Sequence, residues 1–265
     1  MASKRSRYYK LVNGVKNCSK CIDSPTGKGV HLVQDLNRSE INLWLHWQGS
    51  LDASFLVIGQ DWGELPVSST YKFWTTDKTY PSLTCEHEQI QKNKFKTDNN
   101  LATIIYEALS LDLSKKQHSL LFTNAILCYR DKGFTGDVKQ SWFENCQKFC
   151  TRLIDIIQLE AIVSLGYMPL KALLYRGGLS YDKDFSKTDM RLRLSKSMRE
   201  IVEAKDQLYY QPKGSEKALN VIPLFHCGSW GTKTRPLETQ IKGWTKIKES
   251  ISEKKQVSSN IGGKQ

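Results

Sequence analysis

Long apolar runs are missing from this sequence: no stretch approaches the roughly 20 apolar residues that a membrane-spanning helix requires. The opening segment, MASKRSRYYK, is basic but has no apolar core of the kind a secretory signal carries. These absences lead to the expectation of a soluble, cytoplasmic protein with no membrane partner. Acid is also in short supply, with 27 Asp and Glu against 39 Lys and Arg, a net charge of +12. The natural partner of such a chain is a polyanion. There is no internal repeat, which excludes a solenoid. A disulfide framework is excluded as well: in an intracellular chain the seven cysteines remain thiols, either buried, reactive or bound to metal.

What is present suits a sizeable core. The chain has 265 residues, 39% hydrophobic and 10% aromatic, enough for one large domain or two small ones. Basic residues gather in KRSRYYK, KSMREIVEAK and GTKTRPLETQIKGWTKIK. Aromatics interleave with them in the last, a pattern that suits stacking on bases beside phosphate contacts and also suits an ordinary amphipathic helix.

Strand signals alternate with helical ones. Phe55–Gly59, Leu120–Leu127, Ala161–Leu165 and Asn220–Phe225 are short, apolar and end in glycine or something polar. Between them, Leu101–Ser110, Ser141–Leu159 and Pro169–Tyr175 carry helical patterns. This alternation predicts an α/β fold, a three-layer α/β/α sandwich with a central, mainly parallel four-stranded sheet. Ser180–Lys217 is charged and partly helical, and reads as an insertion or solvated flap. Gly177–Gly178 and Gly214 mark loops at its two sides.

The strand ends hold the chemistry. FLVIGQDWGELP runs as a buried strand and then delivers Gln60 and Asp61 between Gly59 and Gly63. The second strand, LLFTNAILCYR, carries Asn124 inside an apolar run, where an amide must find partners or cost stability. The fourth ends in FHCGSWG, so that His226 leaves the strand into a glycine-rich turn. Each of these has an ordinary structural reading, and Asp61 alone would serve as an N-cap. Together they are harder to dismiss, because an open α/β sheet gathers its carboxyl ends in one crevice. A separate feature is the C-x-x-C pair Cys18–Cys21. A redox motif of this type should follow a strand and open a helix, whereas the flanks LVNGVKN and IDSPTGKGV read as loop. A metal site would need two more ligands from elsewhere.

In their order, GQDWG, TNAILCYR, IVSLGYMPLKALL and FHCGSWG resemble the motifs of the uracil-DNA glycosylase superfamily. The likeness spans about residues 15 to 250. Cys18, Cys21, Cys128 and Cys146 stand where its iron–sulfur (family 4-like) branch has its four ligands. The resemblance implies a single glycosylase-like domain over residues 1–250, with the segment 1–50 packed on it; the polar composition of 251–265 predicts a disordered tail. It implies a 4Fe-4S cluster on the four cysteines, zinc being the lesser alternative since it also accepts four sulfurs. Cys150, one turn beyond Cys146, competes as the fourth ligand. Cys85 and Cys227 receive no role.

The resemblance also assigns roles at the site. Asp61 holds water and stabilises the sugar cation, and His226 donates toward the base as negative charge builds on it. Asn124 reads the edge of a flipped base. Gln60, Gly63, Phe73 and Ser229 join it in binding substrate, with Tyr71 or Trp74 in place of Phe73 if the spacing shifts. Trp230, Lys233 and Arg235 contact DNA, Trp230 as a wedge. The chain departs from the family's patterns in two places. The uracil-specific branch has GQDPY, whose tyrosine blocks substituents at the base's 5-position; here Gly63 stands there. The iron–sulfur branch has GEAPG, with glycine but without the aspartate. In the His loop, Cys227 and Gly228 replace the proline and serine of H-P-S.

The expectation is therefore a monomeric, monofunctional DNA glycosylase for a 5-modified pyrimidine. Hydroxymethylated or glucosylated cytosine of phage DNA is the candidate, in antiviral defence, and the DNA is double- or single-stranded. The alternatives are a uracil-DNA glycosylase of base-excision repair and a non-catalytic DNA-binding module.

Overall fold

The computed structural model describes residues 2–21, 30–31, 50–61, 96–113, 119–130, 138–175, 177–181, 183, 197–204 and 206–248. Gly63, Tyr71, Phe73, Trp74, Cys85 and the tail 251–265 lie outside them. In chain order the elements are α1 (Lys4–Lys16), β1 (Val30–His31), β2 (Phe55–Gly59), α2 (Lys96–Leu109), β3 (Leu120–Asn124), β4 (Tyr129–Arg130) and α3 (Gln140–Ile157). There follow β5 (Ala161–Leu165), α4 (Tyr167–Leu173), β6 (Gly177–Ser180), α5 (Met198–Glu203), β7 (Leu208–Pro212), β8 (Leu219–Leu224) and α6 (Ser229–Thr234). A last helix, α7, spans 237–248.

The fold is α/β, built on a six-stranded sheet in the order β3-β2-β5-β8-β7-β6. β3, β2, β5 and β8 run parallel. This is the four-stranded unit that the apolar runs predict. Every residue of β2, β3 and β5 is buried, which is why these strands show no polar alternation: both faces are covered. Leu56 and Ile58 face one core with residues of α1, α3 and α4. Phe55 and Val57 face the other with α2 and α7. Burial of each such side chain contributes about 1.5–3 kcal/mol.

The four-stranded expectation needs a correction, because two antiparallel strands extend the sheet beyond β8. β7 comes from the region expected to be an insertion or flap, and β6 from the Gly177–Gly178 loop expected at its side. β7 has the half-buried alternation of LYYQP, with Leu208, Tyr210 and Pro212 inward, so it lacks the continuous apolar run of its neighbours. Gly177 is not in a loop but in β6. A Cβ on it would collide with the Gln211 carbonyl and the Tyr210 ring, so only glycine allows the two strands to pair there. Gly214, at φ +81, does occupy a turn.

The N-terminal segment is the second correction, since LVNGVK belongs to a helix. Ser3 caps α1 by accepting the Ser6 N–H at 3.2 Å. Tyr8, Leu11 and Val15 are buried in the core that α3 also lines. Packing rather than propensity holds this helix, which is polar on average and contains Asn13 and Gly14. α1 leads directly to Cys18 and Cys21. Among the described residues, no helix is long and apolar enough to cross a membrane.

Candidate active site and thiol cluster

The carboxyl ends of the parallel strands bring three of the expected residues to one edge. β2 ends at Gly59 beside Asn124 of β3. The Ala125 N–H donates to the Gly59 carbonyl at 2.8 Å and that of Ile126 to the Gln60 carbonyl at 2.9 Å. The loop after β2 is thereby bonded to the chain after β3, and Asp61 follows at once. The Gln60 side-chain amide donates to Asp61 Oδ2 at 2.8 Å, fixing one carboxylate oxygen.

His226 stands two residues beyond β8. Its Nδ1 accepts the Gly228 N–H at 3.0 Å. That bond sets the tautomer: the neutral ring carries its proton on Nε2. Burial lowers the pKa of His226 from its ordinary value, and the charge of Asp61 opposes this. The ring has solvent on one side and crowded protein on the others; the crowding sets the direction of the shift. The coupling of the two groups places the Asp61 carboxylate in the imidazole's electrostatic reach. A Cβ on Gly231 would collide with the His226 carbonyl, so the turn closes this tightly only with glycine there.

Asn124 is fully buried, and neither its Oδ1 nor its Nδ2 has a hydrogen-bond partner. The hydroxyl of Thr123 beside it is equally unpartnered. An unsatisfied buried polar group costs about 1–3 kcal/mol, so natural proteins retain few of them.

Two residues with no role expected from sequence hold the His loop. Asn100 of α2 donates its Nδ2–H to the Cys227 carbonyl at 2.7 Å, and the Cys227 thiol donates to the Thr97 carbonyl at 3.5 Å. Cys227 is thus an anchor between the loop and α2. Nothing in the sequence marks Asn100, because a polar residue in a helix looks the same whether it faces water or a buried carbonyl. Ser229 and Trp230 belong to the backbone of α6, with Lys233 exposed on the same helix. Arg235 turns inward. Its guanidinium lies 5.0 Å from the centroid of the Phe225 ring and 3.9 Å from Glu203.

The second gathering is of sulfur. Cys128, just after β3, is hydrogen-bonded to Cys146 of α3 and to Cys21, and it feels the charge of Cys18. The Cys146 bond acts to lower its pKa. The Cys21 bond, burial and the charges of Cys21 and Cys18 outweigh it, pushing the thiol up to about 12. Cys146 is raised as well, first by its bond to Cys128. Two N–H donors point at these sulfurs: the Leu127 amide at Cys146 Sγ, 3.5 Å away, and the Asn145 side chain at Cys21 Sγ, 3.6 Å away. Cys150 is not part of this group. It is fully buried, and burial alone pushes it up to about 12.

Among the described residues no three metal-ligating side chains stand preset around a common point. The free thiols of Cys21, Cys128 and Cys146 hydrogen-bond to one another instead. The pairwise contacts are the better guide to their ligand capacity, because a cysteine re-aims its sulfur by one χ1 rotation. Four thiols from three segments, in an apolar pocket with N–H donors, fit the chemistry of an iron–sulfur cluster.

No protein-family model matches the chain, and no curated protein matches its sequence.

Proposed function

We propose that the chain is a monofunctional DNA glycosylase that hydrolyses the N-glycosidic bond of a flipped-out pyrimidine and leaves an abasic site. The observation that carries the reading is the buried, unpartnered amide of Asn124, beside the loop that presents Asp61, at the same sheet edge as His226. An amide offers both a donor and an acceptor, which is what the Watson–Crick edge of a base requires. The base would supply the partners that the protein leaves out.

The proposed reaction uses the same three residues. As the glycosidic bond breaks, the sugar becomes cationic and the base anionic. The Asp61 carboxylate, which accepts a hydrogen bond from Gln60, stabilises the cation and orients the attacking water. The water adds to the anomeric carbon and loses a proton to the carboxylate. His226, neutral with its proton on Nε2, donates a hydrogen bond to the departing base where its charge collects. Cys18, Cys21, Cys128 and Cys146 would hold a 4Fe-4S cluster, whose role here is structural. It ties α1 to the chain after β3 and to α3.

The substrate proposed is a cytosine enlarged at the 5-position, as in phage DNA, with antiviral defence as the setting. It rests on the sequence alone: glycine stands at position 63, where the resembling uracil-specific motif has a tyrosine that excludes a substituent. The test is mass spectrometry of the bases released from unmodified, uracil-containing and phage-modified DNA. Release of the modified cytosine supports the proposal in full. Release of uracil alone replaces the substrate with that of a repair enzyme. Binding without release of any base overturns the catalytic reading in favour of a DNA-binding module.

A further inference from the structure

A second, half-open cleft lies beside the His loop, between α5, the end of β8 and α7. It has a volume of about 330 Å³, within the ~300–1,000 Å³ of small-molecule sites. Leu224 and Trp244 give it an apolar floor. Phe225, one residue before His226, forms a wall with the Arg235 guanidinium stacked on its ring. Lys242 and Lys246 line it from α7. Glu203, already beside Arg235, is the one acid among the lining residues, so the cleft is net positive. Gln240 is 4% exposed. Its Nε2 donates to the Arg235 carbonyl at 2.9 Å, and its Oε1 has no donor.

Three requirements follow for an occupant. It needs an N–H donor for the Gln240 oxygen, an apolar or planar body for the floor, and an anionic group to match the cleft's net positive charge. We propose that this cleft binds a nucleoside monophosphate with an amino-bearing base. The base sits on Leu224 and Trp244 and donates to Gln240 Oε1, and the phosphate meets Lys242 and Lys246. The nucleotide can arrive free or as the unpaired end of a DNA strand, since both offer this chemistry. The site is separate from the Asp61–His226 edge and does not depend on the glycosylase reading.

The protein is titrated with deoxycytidine monophosphate and with a 5′-phosphorylated single-stranded oligonucleotide, following the amide resonance of Gly243 and the indole N–H resonance of Trp244. Thr239→Trp, at an exposed lining position, obstructs the cleft without touching its buried groups. The double variant Lys242→Ala/Lys246→Ala removes the charges from the exposed face of α7. Each is expected to weaken binding at least tenfold, and Gln240→Leu to do the same. If the variants weaken only the free nucleotide, that is the source; if they weaken only the oligonucleotide, the strand end is. Failure of both probes to bind at millimolar concentration overturns the proposal. So does binding that Thr239→Trp and the lysine variant leave unchanged.

Discussion

At the scale of single residues, the most informative pair is Asp61 and His226. Burial holds the imidazole's pKa down while the carboxylate pulls it up, so Asp61→Asn should lower the His226 titration midpoint further, as followed by NMR of the ring nitrogens. The same variant should cut turnover about 100-fold or more while leaving DNA affinity largely intact. The sign of the pH effect follows from the lowered pKa. Below about 6.5 the unfolded histidine takes up a proton that the folded one resists. The contribution of His226 to stability is therefore present above that value and lost as the pH falls through the folded pKa. Protonating Nδ1 also removes the acceptor of the Gly228 N–H. The acid limb of activity should therefore have its midpoint below 6.5, and a midpoint at or above the ordinary histidine value would contradict the assignment. Asn124 gives a different test. Asn124→Leu removes two unpartnered polar atoms from the interior, and should raise stability in thermal melts by about 1–3 kcal/mol while abolishing base excision.

At the scale of elements, what the sequence made legible depended on burial on two faces. FLVIG and AIVSL are continuous apolar runs because the sheet is covered on both sides, and they were readable for that reason. Among the candidate site residues, Asp61 and His226 stood out because they follow such runs, and Asn124 because it interrupts one. α1 was not legible: a helix with three basic residues in its first turn and Asn13–Gly14 near its end shows little amphipathic pattern, and only α3 gives its buried side chains a place. β6 and β7 were hidden for another reason, since their pairing needs Gly177 at a crossing that no local pattern announces. Asn100 and Cys227 belong to the same class, as their roles exist only once α2 and the His loop are adjacent. α3 carries its own testable feature. It ends on Gln158 in the left-handed conformation at φ 59, where a side chain is strained. Gln158→Gly should stabilise the protein by about 0.5–1 kcal/mol, seen as a rise in Tm; a fall would mean that the glutamine side chain makes a contact worth more than the strain.

At the scale of the whole molecule, two gatherings define the architecture: polar groups at the carboxyl edge of the sheet, and thiols joining α1, the chain after β3 and α3. If the thiols hold iron, Cys18→Ser should lose iron and soluble yield together, checked by metal analysis and by absorbance near ~400 nm. Stoichiometric zinc in a colourless wild-type protein would replace the cluster with a different metal. The order of the strands has a further consequence for synthesis. β2 lies between β3 and β5, and β5 pairs in turn with β8, so each parallel pairing joins segments far apart in the chain. As the polypeptide leaves the ribosome, Asp61 is made before His226. The fourth sulfur, Cys146, emerges between them, so the N-terminal arm can be secured while the acid still has no imidazole opposite it. A nascent chain that has not reached β8 holds the Asp61 carboxylate without the His226 imidazole, so under the proposed mechanism cleavage of a base waits on the synthesis of the segment after Leu224.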